Sequence, residues 1–218
     1  MASPNKRKKR RSRRGLLLLT LAGIIALTVL LACFARIGLS PGYTALRTPT
    51  NEIYGVPLYE QLIPEGDKGR PGQKRRIRYI VIHETGNFSP SATARSHANF
   101  LASGGDGQST SWHYTVDENE IYQQLPDNEI AFHAGDGRKA GGGNEGGIGI
   151  EICVNDGADY ERALDNAAKL AGYLCKCYGL SVDDIKQHAD FMDKNCPQRL
   201  RDSGRWEEFK SRAAGYMK

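Results

Sequence analysis

The sequence predicts an α/β domain in which a central mixed β-sheet is flanked by helices. Three observations carry this. Residues 76–83 (RIRYIVIH) and 147–154 (GIGIEICV) are dense in β-branched residues and read as buried strands. Residues 159–178 repeat apolar positions at helical spacing and stop at Gly179, a C-cap residue. Between these lie shorter strand and helix signals in alternation. In order, 91–102 reads as a helix with Ser89 or Ser91 as cap. Residues 112–116 and 120–125 read as two strands around a turn at 117–119, and 129–133 as a further strand. The six glycines within 136–147 demand a loop. In 147–154, Ile148, Ile150 and Ile152 share one face and Glu151 takes the other. A short helix starts at 181–184, and 206–214 closes the chain as a helix.

The first third has a different composition. Residues 1–14 hold eight Lys or Arg and no acid, so the other 204 residues carry 22 basic against 25 acidic side chains. The net charge of +5 therefore belongs to the tail, and the mildly acidic body gives no argument for nucleic-acid binding. Residues 16–34 (LLLLTLAGIIALTVLLACF) are 19 residues without a charge. As a helix they would span roughly 28 Å, close to the hydrocarbon core of a bilayer. Three readings compete: an uncleaved signal anchor, a cleaved signal peptide, and a lipoprotein with Leu30-Leu31-Ala32-Cys33 as an imperfect lipobox. Span length and the basic flank favour the anchor. The tail then stays in the cytoplasm and the rest of the chain is extracytoplasmic. The expected organisation is a basic tail at 1–14, a transmembrane anchor at 15–35, a Pro- and Gly-broken linker at 36–72 and one domain at 73–218.

Five His and five Cys offer metal-ligand chemistry. A catalytic zinc keeps three protein ligands and one open position. His83 ends a hydrophobic strand, where a side chain can face a cleft. His188 and Cys196 lie in HADFMDKNCP, eight residues apart. From spacing alone that pair reads as a surface His and a buried structural Cys; adding His83 changes the balance. Glu84 follows His83, but HETGN lacks the second His of HExxH. His97 reads as a helical surface residue. His113 points away from Trp112 and Tyr114 and reads as packed or exposed. Cys153, Cys175 and Cys177 read as free thiols, with a disulfide from Cys153 left open.

Four segments carry a family resemblance: YIVIHETGN at 79–87, SWHYTVDENEIYQQLPDNEIAFHAGDG at 111–137, GNEGGIGIEICVN at 143–155 and QHADFMDKNCPQR at 187–199. Across about 120 residues the chain resembles the zinc-dependent N-acetylmuramoyl-L-alanine amidases, the family that includes phage T7 lysozyme and the peptidoglycan recognition proteins. It looks nearest to the amidases of Gram-positive bacteria and their phages. The resemblance implies hydrolysis of the amide between N-acetylmuramic acid and L-alanine in peptidoglycan, with one Zn²⁺ per domain.

Carried onto matching positions, the resemblance makes His83, His188 and Cys196 the zinc ligands. It makes Tyr114 and Lys194 active-site residues and Glu151 the general base. Peptidoglycan-binding members without activity commonly lack the Cys ligand; Cys196 is present, which favours an enzyme over a binding module on the same fold. Asn195 departs from the Asp of many relatives. His133, beside the Gly-rich loop, is a candidate substrate contact or a structural His.

Overall fold

The computed structural model describes residues 43–218. The expected tail and membrane anchor, and with them Cys33, lie outside the described residues. Among the described residues no helix is long and apolar enough to cross a membrane.

Seven strands form one sheet in the order β1-β2-β5-β4-β6-β3-β7. They are β1 (Glu52–Ile53), β2 (Val56–Glu60), β3 (Tyr79–Glu84), β4 (Tyr114–Val116), β5 (Ile121–Gln123), β6 (Gly147–Ile152) and β7 (Ile185–Gln187). Strands β4, β6, β3 and β7 run parallel, while β5 is antiparallel to β4. Among the described residues the α-helices are α1 (Ala94–Ala102), a four-residue turn α2 (Gly143–Gly146), α3 (Tyr160–Tyr178), α4 (Gln198–Asp202) and α5 (Trp206–Gly215). The mixed sheet covered by helices is the architecture the sequence predicts.

The two sheet faces differ in chemistry. Ile80, Ile82, Tyr114, Val116, Ile148, Ile150 and Ile152 project to one face and pack against Leu164, Leu170 and Leu174 of α3 and Phe209 of α5 in one buried cluster. Helix α3 starts where the Asp159 side chain accepts from the Arg162 N–H, and ends at Gly179 in the left-handed region at φ 65°. On the other face, α1 lays Ala94 and Ala98 over Tyr122 and Cys153. Its cap is Thr93, whose side chain accepts from the Ser96 N–H, in place of the expected Ser89 or Ser91. The part of this face that α1 leaves free carries polar side chains.

The expected linker is corrected from Tyr43 onward. Tyr54 and Gly55, both at positive φ, make a two-residue turn that folds β1 onto β2, and β2 then pairs parallel with β5. Val56 and Leu58 point into the core while Pro57 and Tyr59 stay outside. Prolines and glycines here prevent a long element but allow two short strands. Buried ion pairs fasten the segment: Arg47 Nε lies 3.1 Å from Asp127, and Arg70 Nε 2.9 Å from Glu129.

The strand expected at 129–133 is also corrected. Only an isolated bridge joins Lys74 to Glu129. Beyond it the Ile130 N–H donates to the Gln73 carbonyl, and the later N–H groups turn to side chains: Phe132 N–H donates to Ser111 Oγ, and His133 and Ala134 N–H both donate to Asn144 Oδ1.

Candidate metal centre

The carboxyl ends of the parallel strands gather the chemistry. His83 sits near the end of β3, and its register partner on β6 is Glu151, so the two side chains share a face. β7 pairs with β3 on the other side, and His188 follows directly after it in a tight turn. The chain then loops out and returns. The Ala189 N–H donates to the Cys196 carbonyl at 3.1 Å, which closes the loop and brings Cys196 back beside His188. Eight residues of sequence separation thus become adjacency in space.

His83 Nδ1 lies 3.0 Å from His188 Nδ1 and 3.9 Å from Cys196 Sγ. One donor atom from each of the three residues falls within a 4.8 Å group. A tetrahedral ion with bonds of about 2.0–2.3 Å spaces its donors roughly 3.3–3.8 Å apart, so this set fits a metal with little adjustment. All three side chains are buried. Burial, then the neighbouring His133 and His188, drives His83 well below the ordinary imidazole range. Burial and the Lys194 charge lower His188 too. Two neutral imidazoles are what a metal needs as ligands. Burial followed by the Glu151 charge pushes the Cys196 thiol up to about 12, so its thiolate form requires a cation beside it.

Glu151 Oε1 is 3.9 Å from His83 Nδ1, and Oε2 is buried without a hydrogen-bond partner. Burial pushes this carboxyl up to about 8, against the pull of the Lys194 ammonium. Lys194 is exposed on the rim of a cleft bounded by Thr85, Phe88, Val154, Cys196 and Arg199. Five expected residues therefore converge: His83, His188, Cys196, Glu151 and Lys194.

Two do not join them as expected. Tyr114 pairs with Ile150 while Thr115 pairs with Glu151, so Tyr114 projects to the face opposite the cluster. It is fully buried, and its hydroxyl donates to Asp127 Oδ1. His133 is 8% exposed and lies behind His83, its Nδ1 2.9 Å from His83 Nε2, a placement that fits the structural alternative. The sequence reading missed what surrounds it. His113 is fully buried on the cluster's face, where its Nδ1 accepts from the Gly149 N–H. Arg75 is buried with it, donating from Nε to the Glu129 carbonyl. The alternation of Trp112, His113 and Tyr114 separates His113 from Tyr114 correctly; only the strand pairing shows which face holds the site. Cys153 and Cys175 are buried and Cys177 exposed, and among the described residues all cysteines are free.

Residues 73–199 match the profile of the N-acetylmuramoyl-L-alanine amidase family, more than half of the chain. The chain belongs to this family. It is 40% identical over 160 residues to the N-acetylmuramoyl-L-alanine amidase XlyA of Bacillus subtilis strain 168, covering 73% of this chain and 52% of that protein. It is 39% identical over 154 residues to the amidase CwlH of the same strain, covering 71% of this chain and 60% of CwlH. The chain thus spans about half the length of the curated relatives it matches. Among solved structures, the catalytic domain of XlyA superposes with a TM-score of 0.67 at 39% identity, over 72% of this chain and 99% of that domain. The region this chain shares with XlyA coincides with the catalytic domain of that relative.

Proposed function

We propose that the chain is a zinc-dependent N-acetylmuramoyl-L-alanine amidase that hydrolyses the bond between N-acetylmuramic acid and L-alanine in peptidoglycan. The observation that carries the reading is the convergence of His83, His188 and Cys196 on the sheet face where Glu151 presents an unpartnered carboxylate oxygen. His83, His188 and Cys196 would hold the metal. When bound, zinc supplies a Lewis acid that polarises the scissile carbonyl and makes water acidic near neutral pH.

The remaining chemistry belongs to the chain. Glu151 stands beside the cluster with one carboxylate oxygen unpartnered, and its burial strengthens the proton affinity of the carboxylate, so in that ionised form it can take a proton from the attacking water. The same carboxyl then delivers that proton to the departing L-alanine amine. Lys194 places a cation on the cleft rim for the charge that develops on the carbonyl oxygen. Phe88, 52% exposed on the same rim, offers an apolar surface to the substrate. The Tyr114 phenol takes no part.

The proposal extends to location. The basic run and the uncharged segment at 16–34 support a single-pass membrane anchor with the enzymatic domain outside the cytoplasm, where peptidoglycan lies. Acylation of Cys33 is the alternative tether, distinguished by palmitate labelling that a Cys33→Ala change would abolish.

The test is chelation and reconstitution on purified cell walls. Protein stripped of metal releases no new amino termini, and about one equivalent of zinc restores release. Activity that survives complete chelation contradicts the zinc reading.

A further inference from the structure

The geometry points to His133 as the positioning residue that fixes the tautomer of His83, holding its proton on Nε2 so that a bare Nδ1 faces His188 and Cys196. The inference rests on the reading of His83 as a metal ligand.

The hydrogen-bond chain runs inward from a backbone carbonyl. The Gly147 oxygen can only accept, and His133 Nε2 lies 3.2 Å from it. That nitrogen therefore carries a hydrogen. A buried imidazole with one proton then leaves Nδ1 as a bare acceptor. His83 Nε2 is 2.9 Å from that atom, so it must be the donor. A neutral His83 has then spent its only N–H, and the lone pair on Nδ1 is free at the position where the cluster gathers.

Three further features show that the fold is built around this ring. Strand β6 carries Gly149 where a Cβ would stand 2.8–3.0 Å from the Cγ, Cδ2 and Nδ1 atoms of His133, so no other residue leaves room for it. Asn144 Oδ1 accepts from the backbone N–H of both His133 and Ala134 at 2.7 Å, which pins the backbone that carries the ring. Arg75 Nη2 donates to the same Gly147 carbonyl at 2.9 Å, anchoring the acceptor from its other side. The Gly147 carbonyl and the His133 ring are thus each held by contacts of their own.

The experiment combines ¹H–¹⁵N NMR of the histidine rings in metal-free protein with competitive zinc titration of wild type, His133→Ala and His133→Asn. The asparagine oxygen occupies the place of Nδ1 and can accept from His83. Wild type is expected to show His83 protonated on Nε2 alone. His133→Ala is expected to show a population protonated on Nδ1 and to bind zinc about 10–100-fold more weakly. His133→Asn is expected to recover most of that affinity and the wild-type tautomer. Wild-type His83 protonated on Nδ1 overturns the inference without any variant. So does His133→Ala with unchanged zinc affinity and tautomer. Protein that shows the expected tautomer yet takes up no zinc supports the positioning role and contradicts the metal reading.

Discussion

The Tyr114 hydroxyl donates to Asp127 Oδ1 at 2.5 Å on the sheet face turned away from Glu151. Asp127 is buried and also accepts from Tyr178, Gln123 and Arg47, so it is the hub of a structural network. Tyr114→Phe should keep kcat within about twofold of wild type. It should lower stability by about 1–2 kcal/mol, since one buried acceptor loses one of several donors. Urea unfolding and wall digestion measured on the same sample check both. A large loss of kcat with normal stability would return Tyr114 to the reaction.

Cys196 and Cys153 are both buried free thiols, but only Cys196 stands in the metal cluster. Cys196→Ala should lose zinc and activity together, because two ligands bind far more weakly than three. Cys153→Ala, changed in the small cluster under α1, should retain both. Elemental analysis after dialysis reads the difference, and full zinc in Cys196→Ala contradicts the ligand set.

His113 gives the metal-free fold a pH dependence. Burial, then the Arg75 charge, holds it well below its ordinary value, while in the unfolded chain it protonates near pH 6.5. Below that pH the unfolded state binds the extra proton and the folded state does not, so stability is present above about 6.5 and falls as pH drops. His83 and His133 shift in the same direction and add to the slope. Urea midpoints from pH 7.5 to 5 should decline, and His113→Gln should flatten the slope by roughly 1.4 kcal/mol per pH unit. Glu151, raised to about 8 by burial, works against this slope, so the His113→Gln comparison is decisive: a slope that the variant leaves unchanged would mean the His113 ring titrates in the fold as it does in the unfolded chain.

Residues 43–72 are part of the fold. A protein cut to begin at 73 loses β1, β2 and the partners Arg47 and Arg70. Breaking buried pairs of this kind typically costs about 3–5 kcal/mol each. The cut chain should lack a cooperative unfolding transition, while one beginning at 43 retains it. Cooperative melting of the shorter protein would restore the linker reading.

What the sequence makes legible follows a physical pattern. The strands β3 and β6 and the helix α3 are legible because each is buried along most of its length and its periodicity is written in isoleucine, leucine and alanine. His83, Glu151, His188, Cys196 and Lys194 are legible because their motifs travel together. β1, β2 and β7 are too short for periodicity to speak, and the glycines and prolines around the first two look like punctuation. The segment 129–133 has strand composition, yet the N–H groups of Phe132 and His133 bond to the Ser111 and Asn144 side chains, which no local pattern reveals. Tyr114 was misplaced because a motif match carries no face. Facing comes from strand register, and one residue along β4 reverses it. The role of His133 depends on Gly147 and Gly149, a contact between segments that sequence spacing leaves unspecified.

The central claim is that amide hydrolysis takes place beside His83 with Glu151 as its base, and Glu151→Gln tests it most directly. Glutamine keeps the shape and loses the basicity. Wild type and variant, matched for zinc content, are incubated with purified peptidoglycan and the products read by mass spectrometry. The account predicts free stem peptides beginning at L-alanine from wild type, and release by the variant slower by about two to four orders of magnitude at equal zinc. Release at the wild-type rate by zinc-loaded Glu151→Gln, or wild-type products that still hold the bond between muramic acid and alanine, would contradict it.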